Sequence, residues 1–191
     1  MPTTSKSSSP RERILATAMD MFYRHGYKGT GINQIIAEAG VAKASFYDHF
    51  PSKEDLLVAY ATEMARQEIA LIREEIHQRP TARGRFFAPL EMLKPWFQST
   101  DFRGCPFQNV LVEAPPESSA VREVVRQHRE SLRTLFHELA VDLKNTDPAC
   151  RSMNSDNVVN LYLLLFEGAI PLCVAYHETW PIDQAITYLT N

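Results

Sequence analysis

The stretch 30–53, TGINQIIAEAGVAKASFYDHFPSK, constrains this chain more than any other part of it. Ile32, Ile35, Ile36 and Ala39 fall at i, i+3, i+4 and i+7, so a first short helix carries one apolar stripe and turns Asn33, Gln34 and Glu38 outward. Gly40 stops it, because glycine enters the left-handed conformation without steric cost. Val41 and Ala42 make a turn, and from Lys43 a second helix sets Phe46 and Phe50 four apart, facing inward together. Lys43, Ser45, Tyr47 and His49 are left on its other faces. Two turns of helix, roughly 12 Å, match the width of a DNA major groove. Lys43 and His49 suit phosphates or base acceptors, Ser45 a base edge or phosphate, and Tyr47 carries a hydroxyl on a rigid ring. Spacing alone leaves two readings open: a DNA-recognition helix, or an ordinary helical hairpin with a solvated face.

The wording of residues 22–57 goes further. Gly26-Tyr27, Thr30, Ile35, Ala39-Gly40-Val41, Lys43, Phe46-Tyr47, His49-Phe50, Lys53 and Leu56 resemble, at fixed spacing, the N-terminal domain of the TetR family of bacterial transcriptional regulators. The resemblance covers about the first quarter of the chain. Three positions depart from the family's usual wording: Gly31 and Ala42, where it often has Ser or Thr, and Ala44, where it often has Gly. The first two remove side-chain caps, so these helix starts must lean on other contacts.

The resemblance implies an all-α fold of about nine helices. A disordered arm at 1–8 and a three-helix, helix-turn-helix DNA-binding domain at 9–51 precede a helical ligand-binding and dimerisation domain at 52–191. It implies Lys43, Ala44, Ser45 and His49 near base edges or groove walls, with Thr30, Tyr47 and Lys53 on phosphates. The partners it implies are a double-stranded DNA operator, a second copy of the chain and a small-molecule effector. Charge agrees: residues 1–53 hold seven Lys or Arg against four acids, a net +3, whereas the whole chain is −3.

The remainder reads as helices. Ser9-Pro10-Arg11-Glu12 is a helix start, with Ile14, Leu15, Ala18, Met21 and Phe22 as the buried face and Gly26 as the stop. Ser52 begins a long helix that Leu56, Leu57, Tyr60, Met64, Ile69, Leu71, Ile72 and Ile76 carry on to Arg79, where Pro80 stops it. In 81–98, Pro89 and Pro95 predict a bent or broken helix. RGCPFQN, at 103–109, opens a helix closed by Pro115-Pro116 and resembles a stretch seen at the matching place in TetR-like regulators. A helix over about 118–145 follows, and 158–176 is the most apolar segment. Asn160, Glu167 and Pro171 interrupt it and no basic anchor flanks it, which argues against a membrane span. Apolar nearly all round, it is expected to face the core on one side and a second subunit on the other, so that about 154–191 forms a homodimer.

The resemblance also implies a ligand cavity, for which Phe86, Phe87, Met92, Trp96, Phe97, Phe107 and Phe166 offer aromatic or soft walls. Core packing is the competing reading for each. Glu167 is the sharper candidate, an acid in an apolar run with Pro171 four residues later, and the choice is between a ligand contact and a structural carboxylate paired with an arginine. Asn109 and Glu113, one turn apart, are candidates to join it in a polar floor.

Cys105, Cys150 and Cys173 form no disulfide framework or CxxC pattern, and Cys105 at a helix start is a weak candidate redox sensor. His137-Glu138 and His177-Glu178 lack a second histidine at zinc-site spacing, and no GxSxG, P-loop or GxGxxG occurs, so no metal, cofactor or catalytic site is expected. The N-terminus lacks the apolar core of a signal peptide, and the expected location is cytoplasmic. The chain is therefore read as a homodimeric repressor released from DNA by a small molecule. The rivals are a small-molecule sensor or carrier without DNA binding, and a helical enzyme.

Overall fold

A computed structural model describes residues 8–190. Apart from Ser8, the expected arm lies outside them. Among the described residues the regular structure is helical: α1 (Pro10–His25), α2 (Ile32–Ala39), α3 (Lys43–His49), α4 (Lys53–His77), α5 (Ala82–Glu91), α6 (Leu93–Ser99), α7 (Pro106–Glu113), α8 (Ser119–Thr146), α9 (Ser155–Tyr176) and α10 (Trp180–Thr190), with a 3-10 turn at Pro148–Cys150. The chain divides into two compact units. One comprises the residues through Met64 together with Pro106–Val125, the other Ala65–Cys105 with Arg126–Asn191.

In the first unit, α1 begins with a reciprocal cap. Ser9 Oγ accepts from the Glu12 N–H at 3.3 Å, Glu12 Oε2 accepts from the Ser9 N–H at 2.8 Å, and Pro10 takes the first position, where its missing N–H costs nothing. Ile14, Ala18, Met21 and Phe22 are buried against Ile35 and Ala39 of α2, Phe46 of α3 and Leu56, Leu57 and Tyr60 of α4. Neither Gly31 nor Ala42 supplies a side-chain cap. The far end of α2 is held instead by Arg13, whose Nε donates to the Ala39 carbonyl at 3.2 Å. Gly40 follows at φ +60°, the left-handed stop. Val110 and Val121 join the same core, which is why α7 and the start of α8 belong with the N-terminal helices and not with a body running from 52 to 191.

The second unit is built on the inward stripe of α8: His128, Leu132, Leu135, Phe136, Leu139 and Leu143 are all buried. Phe136 packs on Tyr162 and Phe166 of α9 at centroid distances of 4.3 and 5.4 Å, and the Tyr162 hydroxyl donates to the Phe86 carbonyl at 2.9 Å. The 81–98 stretch is broken, and the break falls at Met92. Pro89 lies inside α5, and Pro95 sits in the first turn of α6, where no intrahelical bond is lost. Leu71 of α4 is 60% exposed. Along α9, Val159, Tyr162, Phe166, Ile170 and Cys173 are buried, while Leu161, Leu164, Leu172, Val174 and Tyr176 are exposed. By length and composition this helix could cross a membrane; here its buried stripe is packed inside the unit.

Candidate nucleic-acid interface

The α3 helix is anchored from below. Phe46 and Phe50 are buried with ring centroids 6.3 Å apart, and Tyr47 meets the edge of Phe46 at 5.3 Å. With one side nailed down in this way, Lys43, Ala44, Tyr47 and His49 are exposed and Ser45 is half-buried. A cation, two hydroxyls and an imidazole thus share one short helix at a solvent face, a set able to serve both phosphates and base edges. Sequence reasoning passed over Arg11, whose guanidinium lies 5.3 Å from the Phe50 ring centroid and brings a second cation to the end of α3. No local pattern could have shown it, because the two residues meet only through the fold.

Two expected phosphate contacts are placed differently. Thr30 is 1% exposed, and its hydroxyl lies 2.8 Å from the Gly26 carbonyl and 3.3 Å from that of Met21. Its donor therefore closes the end of α1, and a phosphate cannot reach it. Lys53 is half-buried at the start of α4: its Nζ donates to the Tyr27 carbonyl at 2.6 Å and stands 4.1 Å from the Tyr27 ring centroid. Burial pushes its pKa down, and the negative charge of Glu113 partly offsets that. Burial likewise raises the Tyr27 phenol, with Glu54 adding to the effect. Lys53 is thus first a clamp on the α1–α2 turn, with two further N–H donors on the same ammonium.

The candidate ligand residues fall in two groups. In the second unit Phe86 and Phe166 are 1% exposed, Met92 and Trp96 are half-buried, and Glu167 Oε2 pairs with Arg129 Nη2 at 2.9 Å. The same guanidinium lies 3.9 Å from Cys105 Sγ. The pairing answers to the structural alternative for Glu167. Phe107, Asn109 and Glu113 belong to the first unit. Phe107 is 1% exposed in the core, and Asn109 and Glu113 line a cavity of about 10 Å³ beside Phe22, Tyr27, Leu57 and Tyr60, room for about one water. No organic effector fits there, and Glu113 Oε2 accepts the Lys28 N–H at 3.0 Å. Of the expected polar floor, Asn109 and Glu113 belong to the first unit and Glu167 to the second.

Known proteins resemble this chain over most of its length. The family described as bacterial regulatory proteins, tetR family, matches residues 14–60. The HTH-type transcriptional regulator LmrA of Bacillus subtilis is 32% identical over 178 residues, covering 90% of either chain, and YxaF, an HTH-type transcriptional regulator of the same organism, is 40% identical over 94% of this chain and 92% of its own. Among solved structures, a TetR-family transcriptional regulator from Streptomyces coelicolor superposes with a TM-score of 0.77 at 27% identity, covering 96% of this chain and 91% of its own. Escherichia coli NemR in its reduced form gives 0.82 at 21% identity over 95% and 96%, a likeness of fold. The chain belongs to the tetR family of bacterial transcriptional regulators.

Proposed function

We propose that two copies of this chain hold an operator through paired α3 helices and let it go when a small molecule enters the second unit. The observation that carries the DNA half of this reading is the α3 face: Lys43, Ala44, Ser45, Tyr47 and His49 turned to solvent over a buried Phe46–Phe50 base. Two such helices must lie about one DNA turn, roughly 34 Å, apart to enter successive major grooves. The pairing surface is the outer side of α9 with α10, where Leu164, Leu172, Trp180 and Tyr188 line an exposed apolar groove. An effector lowers DNA affinity only by binding better to a state whose α3 helices no longer match that spacing, and about 1.4 kcal/mol of preference gives tenfold. A repressor is the natural reading, since the HTH-type transcriptional repressor DhaR of a Mycobacterium species is 25% identical over 93% of this chain. Such a regulator works in the cytoplasm.

Fluorescence anisotropy tests it, with duplexes from the regions flanking the gene at near-physiological salt. Wild type binds one tightly, and Lys43→Ala/Tyr47→Ala does not. Binding that survives the double substitution removes α3 from the interface. Light scattering on a sizing column shows a dimer at micromolar concentration, and a monomer there ends the paired-helix mechanism.

A further inference from the structure

The turn between α1 and α2 is held from three directions. Thr30 closes it from within, Lys53 clamps the Tyr27 carbonyl from α4, and Glu113, 85 residues away in sequence from its partner, accepts the Lys28 N–H at 3.0 Å from the last residue of α7. The Glu113 carboxylate approaches so closely that a Cβ on Gly26 would stand 2.7 Å from both of its oxygens, and Gly26 itself is at φ +79°. The positive φ favours glycine, and any Cβ here would have to push the Glu113 carboxylate aside.

The placement is electrostatically awkward. A carboxylate beside the C-terminal end of α1 faces the negative end of that helix dipole. The Lys53 ammonium at Tyr27 offsets this, the Glu113 charge acting to raise its pKa. An apolar side chain here would leave the Lys28 N–H without this acceptor.

We infer that Glu113 is a positioning residue for operator binding: its carboxylate latches α7 to the α1–α2 turn and so fixes the attitude of the helix-turn-helix. This rests on the operator-binding reading above. α7 follows in the chain directly on Cys105, the last residue of that stretch of the second unit.

The test uses the full chain and the duplex that wild type selects from a random-sequence pool. Variants are Glu113→Ala, Glu113→Gln and, as a charge-matched control on the exposed loop after α7, Glu117→Ala. Glu113→Ala is expected to weaken the duplex about tenfold with the salt slope unchanged, because no phosphate contact is lost. Glu113→Gln keeps an acceptor for the Lys28 N–H and recovers most of that loss. Exchange of the Lys28 amide quickens about tenfold in Glu113→Ala, while core amides of α1 keep their protection. If Glu113→Ala does not fold, Glu113→Gln carries the comparison, a loss of up to threefold in affinity supporting the latch. An affinity for Glu113→Ala within twofold of Glu117→Ala, or unchanged exchange at Lys28, overturns the inference. A pool that yields no duplex defeats the operator-binding reading and not the latch, which the amide exchange still reads.

Discussion

Lys53→Met separates the two jobs of Lys53. Methionine keeps the apolar stem but removes the ammonium that donates to the Tyr27 carbonyl at 2.6 Å and faces its ring at 4.1 Å. A hydrogen bond from a charged donor contributes about 1.5–3 kcal/mol and an exposed cation–π contact about 0.5–1. Against these stands the burial that depresses the pKa of Lys53, a cost that vanishes with the charge. We expect a net loss of about 1–2 kcal/mol, on the low side of the sum because the site is half-open to solvent. Urea unfolding followed by circular dichroism reads it as a lower midpoint at constant slope. On the operator, a full phosphate contact at Lys53 would flatten the dependence of log K on log salt by about 0.9. The bond to the neutral Tyr27 carbonyl leaves the ammonium its full charge and two further donors, so the slope reports a phosphate contact and the urea midpoint reports the clamp. An unaltered urea midpoint together with a drop of a full 0.9 would refute the clamp and restore Lys53 as a plain phosphate contact.

Four further outcomes follow from the same structure. Phe46→Ala empties the buried base of α3 and costs about 3–5 kcal/mol, so a urea series shows a large loss and operator binding disappears with it. Ser9→Ala removes one half of the cap on α1 and costs about 0.5–2 kcal/mol by the same measurement, with operator affinity changed far less than by Lys43→Ala. Leu164→Glu puts a charge on a side chain 72% exposed, leaving the protomer's thermal stability nearly unchanged while light scattering shows a shift from dimer to monomer. The Cys173 thiol is raised by burial to about 11 from an ordinary value near 9. Its protonated form is favoured in the fold, so the stability it contributes is present below pH 9 and is lost between about pH 9 and 11; unfolding titrations across that window show the decline, and replacing Cys173 with Ala flattens it.

What could be read from the sequence follows the range of each interaction. The cap at Ser9 and Glu12, the stripe of α2, the stop at Gly40 and the inward pair Phe46 and Phe50 are set by residues within four positions of one another, and periodicity shows them directly. The uncapped starts at Gly31 and Ala42 are visible too, but not the support at the other end of α2, where Arg13 reaches the Ala39 carbonyl across 26 residues. The break in 81–98 was legible from its prolines, yet proline in a first turn costs no hydrogen bond, so Pro95 begins a helix and Met92 marks the joint. Thr30, Lys53 and Glu113 show the same limit at the site. Their chemistry was read correctly as a hydroxyl donor, a cation and a carboxylate. What spacing could not say was that backbone groups of the α1–α2 turn and the end of α1 would claim all three before any ligand did. A polar side chain on a short helix has two kinds of customer, solvent-borne ligands and the open backbone of neighbouring turns, and burial decides between them. At α3 burial leaves the polar residues outside, and at the α1–α2 turn it draws them in. The first is where sequence wording and function coincide; the second is where a tertiary contact such as Glu113 to Lys28 has to be seen before its role can be asked about.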